Sequence, residues 1–337
     1  MKILLDVMGG DHCPTEAIKG AVTALKKIES DIVLIGKEEL IKEEIKKIYG
    51  KEDIKQISER LSIINADEVV ENTDVPLQAI KKKKNSSMVK GFELIKNGEV
   101  DAFVSSGNTG ALMAGATLCV GRIKGIDRPA LTAIMPAYNG SFMVLDAGAN
   151  TNCKPINFKQ FAYMGSIYMN KVRNVEKPRV ALLNIGAEET KGTELIKETY
   201  QTLKQDEKIN FVGNVEGRYI FDGSVDVVVT DGFNGNIAIK TTEGVGLMVN
   251  KMLKEELYRN LYTKFMAFLL YPALKRFKKR MDYTEYGGGI LLGIEKPIIK
   301  CHGGAKEKLF VTTLMQAENY AKSGAIEEIK KEIENNL

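Results

Sequence analysis

Six times along this chain of 337 residues, a short apolar run ends in a loop of glycine, asparagine, serine or an acid. The loops are Asp6-Val-Met-Gly-Gly-Asp-His12, Ser105-Ser-Gly-Asn-Thr-Gly110, Asp146-Ala-Gly-Ala-Asn150, Asn184-Ile-Gly-Ala-Glu188, Gly213-Asn-Val-Glu-Gly-Arg218 and Asp231-Gly-Phe-Asn-Gly235. The runs before them are rich in Val, Ile, Leu and Phe, the composition of buried strands. In open α/β sheets, loops at the carboxyl ends of strands meet in a crevice where ligands bind. Six such loops predict one composite site whose donors are backbone N–H groups and short side chains, a design suited to an anion such as phosphate.

Strands are predicted over 2–7, 32–36, 61–65, 102–105, 132–135, 142–146, 180–184, 210–212 and 225–230, with helices over 14–28, 38–48, 109–120, 158–172, 193–203 and 237–256. This alternation, with strands apolar throughout, predicts an α/β fold: a mostly parallel sheet covered on both faces. Pro14 suits a first helical turn, and Glu194 places an acid at the positive end of the helix that starts near Thr193. No low-complexity linker or internal repeat divides the chain, which is expected to form a single α/β catalytic domain over 1–337.

The net charge of +4 is too small to argue for nucleic acid, and no basic–aromatic stripe is present. The first apolar run is too short for a signal peptide. The four cysteines form no CxxC pair, as expected for a reducing cytosol.

Residues 257–283 break the rhythm. Leu257, Leu261, Phe265 and Leu269 recur every fourth residue, and Leu270, Leu274, Phe277 and Met281 continue a stripe past Pro272, where the helix should break. The other faces carry Arg259, Lys264, Lys275, Arg276, Lys278, Lys279 and Arg280. The apolar stretch is far short of the ~20 residues that span a bilayer. A protruding basic amphipathic helical hairpin is predicted, fit for a dimer partner, an acidic protein or a lipid surface. Phe265, Phe268 and Leu269, with flanking Lys275, Arg276, Lys278 and Lys279, favour an anionic membrane.

The order and wording of the loops resemble the bacterial phosphate acyltransferases of phospholipid synthesis. The matching stretches include Asp6 to Pro14, Asn85-Ser-Ser-Met88, Ser106 to Ala114, Ile123 to Leu131, Gly148-Ala-Asn150 with Cys153-Lys-Pro155, Leu183 to Gly186, Gly213 to Arg218, Asp231-Gly-Phe233, Tyr286-Gly-Gly288 and His302-Gly303. They run in the family's order over essentially the whole chain. The resemblance implies a three-layer α/β/α, Rossmann-like fold of the isocitrate/isopropylmalate dehydrogenase type. It implies acyl transfer from acyl-acyl carrier protein to inorganic phosphate with no cofactor and no metal. It also implies a cytoplasmic homodimer, peripherally associated with the inner face of the cell membrane, that hands acyl phosphate to a membrane glycerol-3-phosphate acyltransferase.

Such a reaction needs no covalent protein nucleophile, because phosphate attacks and a thiol leaves. The site must hold a phosphate dianion about 3–3.5 Å from the thioester carbon and stabilise an oxyanion. Gly9 and Gly10 let backbone approach a ligand, though the same loop fits a plain strand–helix turn. His12 can protonate the thiolate or bind phosphate, or simply sit on the surface, and Asp11 can orient it or cap a helix. Ser86 and Ser87 are placed for ligand contact after a lysine run that itself suits a solvated face. Gly107, Asn108 and Thr109 form a candidate anion nest, and Thr109 equally suits a helix cap. Lys154, after Asn150, can neutralise phosphate. Asn184, Asn214, Glu216 and Arg218 are further candidates, the last two also suiting a structural ion pair, as do Glu188 and Lys191. Asp231 and Asn234 fix loop geometry, and His302 is expected near the crevice. His12, Asn108 and Lys154 are the expected catalytic groups.

Overall fold

The computed structural model describes residues 1–50 and 57–336. In chain order these form β1 (Lys2–Asp6), α1 (Thr15–Ala24), β2 (Asp31–Gly36), α2 (Glu38–Tyr49), β3 (Leu61–Asn65), α3 (Pro76–Lys82), α4 (Ser87–Lys96), β4 (Ala102–Ser105) and α5 (Thr109–Gly115). Helix α5 continues as a π-helical turn, Ala116–Val120. There follow β5 (Ala130–Pro136), β6 (Ser141–Leu145), α6 (Pro155–Arg173), β7 (Val180–Asn184), α7 (Glu194–Lys204), β8 (Phe211–Glu216), β9 (Val227–Val229) and α8 (Gly232–Leu257). The chain closes with α9 (Leu261–Leu269), α10 (Tyr271–Met281), β10 (Gly289–Leu292), β11 (Ile298–Lys300), α11 (Glu307–Lys322) and α12 (Ala325–Asn336).

The strands make one 11-stranded sheet, ordered β3-β2-β1-β4-β11-β10-β5-β6-β9-β7-β8. Side chains of β1 alternate between two cores: Ile3 and Leu5 pack with Ile18 of α1 and Phe310 of α11, whereas Leu4 packs with Phe92 of α4 and Leu112 of α5. Beyond the middle of the sheet, Phe161 of α6 belongs to the first core, while Val144 of β6 and Ile239 of α8 form a third. Helices on both faces explain why inner strands such as β1 and β9 are apolar rather than alternating with polar residues, whereas the edge strands β3 and β8 carry polar, partly exposed positions.

The expected parallel sheet is interrupted. β5 pairs antiparallel with both β6 and β10, and β10 pairs antiparallel with β11. The remaining neighbours are parallel. Consequently β6, β9, β7 and β8 run opposite to β3, β2, β1, β4 and β11. The reversal begins at a hairpin in which the Ala137 N–H donates to the Gly140 carbonyl at 3.1 Å, a turn carrying the Asn139-Gly140 pair.

Helix α8 is 26 residues long and leaves Leu247, Met248 and Met252 exposed; α9 buries only Ala267, and α10 buries none of its side chains. Pro272 falls in the first turn of α10, where its missing N–H costs nothing, so the break expected at proline appears as a helix start. Exposed apolar side chains are therefore found within α8 as well as in the 257–283 segment. No helix among the described residues is long and apolar enough to cross a membrane.

Candidate active site

Three loops at the ends of β1, β4 and β11 are held together by a buried carboxylate and a buried lysine. Asp6, 1% exposed, accepts from Ser105 Oγ at 2.8 Å and from the Met8 N–H at 3.1 Å. Ser105 Oγ in turn accepts from the Gly107 N–H at 3.1 Å. The β1 loop joins the β11 loop through the Asp11 N–H on the Gly303 carbonyl at 2.9 Å. Gly9 lies so close to Gly107 that a Cβ added to it would stand 2.4 Å from Gly107 Cα, so only glycine fits.

Lys300 ends β11 and is 9% exposed. Its Nζ donates to the Ser106 carbonyl at 3.0 Å and the Cys301 carbonyl at 2.5 Å. Burial pulls its pKa down to about 8, with nearby Asp6 and Asp11 among the charges that resist the fall. It therefore remains an ammonium at neutral pH. His302, two residues on, accepts the Gly304 N–H at Nδ1 at 3.1 Å, which assigns the proton of the neutral ring to Nε2. Burial, and then the nearby Lys240, lower its pKa and favour that neutral form.

The loops after β6 and β9 form the opposing wall. Fully buried Asp146 collects five hydrogen bonds: from the N–H groups of Leu131 at 3.2 Å, Gly148 at 3.1 Å, Ala149 at 3.0 Å and Asn150 at 2.7 Å, and from Asn150 Nδ2 at 2.7 Å. Asp231 caps α8, accepting the N–H groups of Phe233 and Asn234, both at 2.9 Å, and Asn234 Nδ2 returns to it at 2.7 Å. The Gly232 N–H donates to the Asn150 carbonyl at 2.7 Å, locking the two loops together. The first turns of α8 then bring Asn236, Ile239, Lys240 and Glu243 to face the β11 loop.

Between these walls lies a cleft of about 1110 Å³, floored by residues 131–135 of β5 and by Gly287, Gly288 and Gly289. Of the residues singled out from the sequence, Asp11, Gly107, Thr109, Asn150 and His302 line it. Gly9, Gly10 and His12 belong to the loop beside Asp11, and His12 is exposed just before α1, its carbonyl accepting the Glu16 N–H. Ser86 is buried as the cap of α4, with its Oγ donating to the Lys83 carbonyl at 2.7 Å, and Ser87 is buried beside Asp6. Asn108 spends its side chain on the fold: Oδ1 caps α5 at 3.0 Å, and Nδ2 donates to the carbonyls of Glu71, Asn72 and Asp74. Lys154 is exposed at the start of α6.

The remaining candidates are not brought to this cleft. Asn184 Nδ2 donates to the Lys191 carbonyl at 3.1 Å, and Asn214 Nδ2 to the Glu188 carbonyl at 3.0 Å. Glu216 and Arg218 form an exposed ion pair at 3.1 Å. All lie on β7, β8 and their loops at one edge of the sheet, where the strands run opposite to β1 and β4. Within the protomer, then, the six loops do not share one crevice.

Lys300 and Arg128 are among the lining residues that escaped the sequence reading. Lys300 follows only two isoleucines, in a stretch where the sequence predicts no strand. Arg128 lies in one of the stretches that carry the family resemblance, yet nothing local sets it apart from Arg122 or Lys124. It is exposed in the cleft and, among the described residues, its side chain has no hydrogen bond or ion pair. Meanwhile burial pushes the Cys13 thiol up, Cys301 up to about 11 and Cys153 up to about 12, so these thiols stay protonated at neutral pH.

Residues 1–328 match the model of a family described as fatty acid synthesis protein. The phosphate acyltransferase of Thermoanaerobacter pseudethanolicus is 51% identical over 335 residues, covering 99% of this chain and 98% of that protein. That of Caldanaerobacter subterraneus subsp. tengcongensis is 52% identical, with the same coverage of both chains. Among solved structures, a phosphotransacetylase from Streptococcus pyogenes shares the fold at a TM-score of 0.64 and 15% identity, over 95% of this chain and 94% of its own. The 4-hydroxythreonine-4-phosphate dehydrogenase of Klebsiella pneumoniae shares it at 0.55 and 12%, over 95% and 99%. This agrees with the dehydrogenase-type α/β architecture expected from the sequence. With full-length identity near one half and a family model matching almost the entire chain, the chain belongs to the phosphate acyltransferase family.

Proposed function

We propose that this chain transfers the acyl group of an acyl-acyl carrier protein to inorganic phosphate, giving acyl phosphate for phospholipid synthesis and free carrier protein. The observation that supports this most directly is the unpaired guanidinium of Arg128 in the same cleft as the Lys300 ammonium and the His302 ring. Such a set can bind an anion and polarise a carbonyl. A phosphate oxygen attacks the thioester carbon, forming the C–O bond while the carbonyl electrons move to an oxyanion. Collapse breaks the C–S bond, and the departing thiolate takes the proton that hydrogen phosphate brought. His302 Nε2–H is proposed as the oxyanion donor, with Gly107, Thr109 and Asn150 as contacts. Asn108 acts by positioning the cleft wall, Lys154 by drawing anions to it, and His12 as a hydrogen-bonding group on the loop beside Asp11.

The test is to incubate the protein with long-chain acyl-carrier protein and to follow free thiol and acyl phosphate with and without phosphate. Thiol release should require phosphate and fall about 10²–10³-fold in His302→Ala, the usual cost of one oxyanion donor. Release that ignores phosphate would refute the assignment. The exposed apolar residues of α8 and α9 support a homodimer whose helical tip rests on an anionic membrane, where acyl phosphate can pass to a membrane acyltransferase.

A further inference from the structure

Helix α5 and its π-helical continuation are apolar on two faces, and only one is covered. Ala111, Leu112, Ala116 and Val120 are buried in the core beneath the sheet. Gly110, Met113, Ala114, Thr117 and Leu118 recur at helical spacing on the other side and line the cleft. Leu118 is 59% exposed, and Leu77 of α3, which lines the cleft with it, is 53% exposed. Thr117 Oγ1 donates back to the Met113 carbonyl at 2.8 Å, so the hydroxyl seeks no outside partner. A helix apolar all round is normally buried all round. Here a stripe without charge runs from Thr109 to Leu118, a length of roughly 14 Å at the usual helical rise.

From this we infer that the α5 stripe, with Leu77 opposite, is the bed for the hydrocarbon chain of the acyl donor. The inference rests on the function proposed above and adds where the chain lies. The stripe begins at the Gly107–Thr109 loop, beside Lys300, so a carbonyl held there has its hydrocarbon tail continuing onto Met113 and then Leu118. It ends at Arg122, which also lines the cleft and marks where the apolar path gives way to charge. An acidic carrier would seek cations, and residues 110–121 contain none. An apolar occupant continuous with the reacting carbonyl suits the stripe; a protein surface of negative charge does not.

The test compares palmitoyl- and butyryl-carrier protein as donors for the full-length enzyme and for Met113→Gln/Leu118→Gln, with thermal unfolding as a check on folding. The ratio of palmitoyl to butyryl kcat/KM should drop at least about tenfold, mainly through KM, because only the longer chain reaches both side chains. A folded variant with the wild-type ratio, whether its rates are unchanged or lowered equally for both donors, would overturn the inference while leaving the proposed reaction intact. Failure of the wild-type enzyme to turn over either donor would instead remove the reaction and the inference together.

Discussion

The contact between Gly9 and Gly107 makes a single methyl group a sharp probe of the cleft. In Gly9→Ala the new Cβ would lie 2.4 Å from Gly107 Cα and 2.7 Å from Gly107 N, where ordinary contact is 3.4–4 Å. Both neighbours are backbone, so no side chain can swing away, and the β1 and β4 loops must separate by about 1 Å. Overpacking of this kind costs about 1–3 kcal/mol of stability. The larger effect should be kinetic. Gly107 lines the cleft and reaches Asp6 through Ser105, and a displacement of about 1 Å in a reacting geometry costs on the order of 10²-fold in rate. Urea unfolding and phosphate-dependent thiol release, measured on the same preparation, separate the two. Gly246→Ala is the control: its Cβ meets nothing within 4 Å, and in mid-helix it should add up to about 1 kcal/mol. Gly9→Ala with the wild-type midpoint and rate would show that the two loops are not in this contact, and the account of the site would fall with it.

Other perturbations test separate parts of the argument. Lys300 has a folded-state pKa of about 8 against an ordinary 10.5, so between those values the unfolded chain binds more protons and stability rises with pH. Wild type should gain about 3 kcal/mol relative to Lys300→Met across that window, read as diverging urea midpoints; parallel curves would refute the buried ammonium. Cys13, whose thiol burial holds protonated, should react slowly with iodoacetamide at neutral pH, and Cys13→Ala should sustain turnover. A loss of many orders of magnitude in Cys13→Ala would point to a covalent thiol route. Phe268→Glu with Leu269→Glu replaces side chains that are 75% and 55% exposed, and should abolish co-sedimentation with anionic liposomes. Equal binding by the variant would count against a lipid-facing tip.

The strands were legible wherever burial on both faces made a run apolar, as in Ile3-Leu4-Leu5 or Val227-Val228-Val229. β10 and β11 were not: β10 is four residues opening on Gly289, and β11 is two isoleucines and a lysine behind Pro297. The reversal of direction did leave a signal, Asn139-Gly140 between two strand patterns, but the helix–strand rhythm on either side argued for parallel pairing. Within the site, glycines and asparagines were visible because loop geometry demands them locally. Lys300 and Arg128 were not, because a cation's value depends on what tertiary packing places beside it. The same local logic nominated Asn184 and Arg218, whose loops look like the others but sit on strands at the edge of the sheet.

The sheet order also has a consequence in time. β4 ends at Ser105, yet its neighbour β11 is formed by Ile298–Lys300, and α1 near the start packs on α11 near the finish. At about 5–20 residues per second, a ribosome needs on the order of 10–40 s to supply the missing strand. Meanwhile β6, β7, β8 and β9, contiguous in the chain, can already pair. The nascent protein thus carries an open β4 edge for most of its synthesis, a surface that invites wrong partners or a chaperone. Lys300 and His302 emerge only with the strand that closes that edge, so a growing chain completes the wall of its cleft at the moment it loses its open edge.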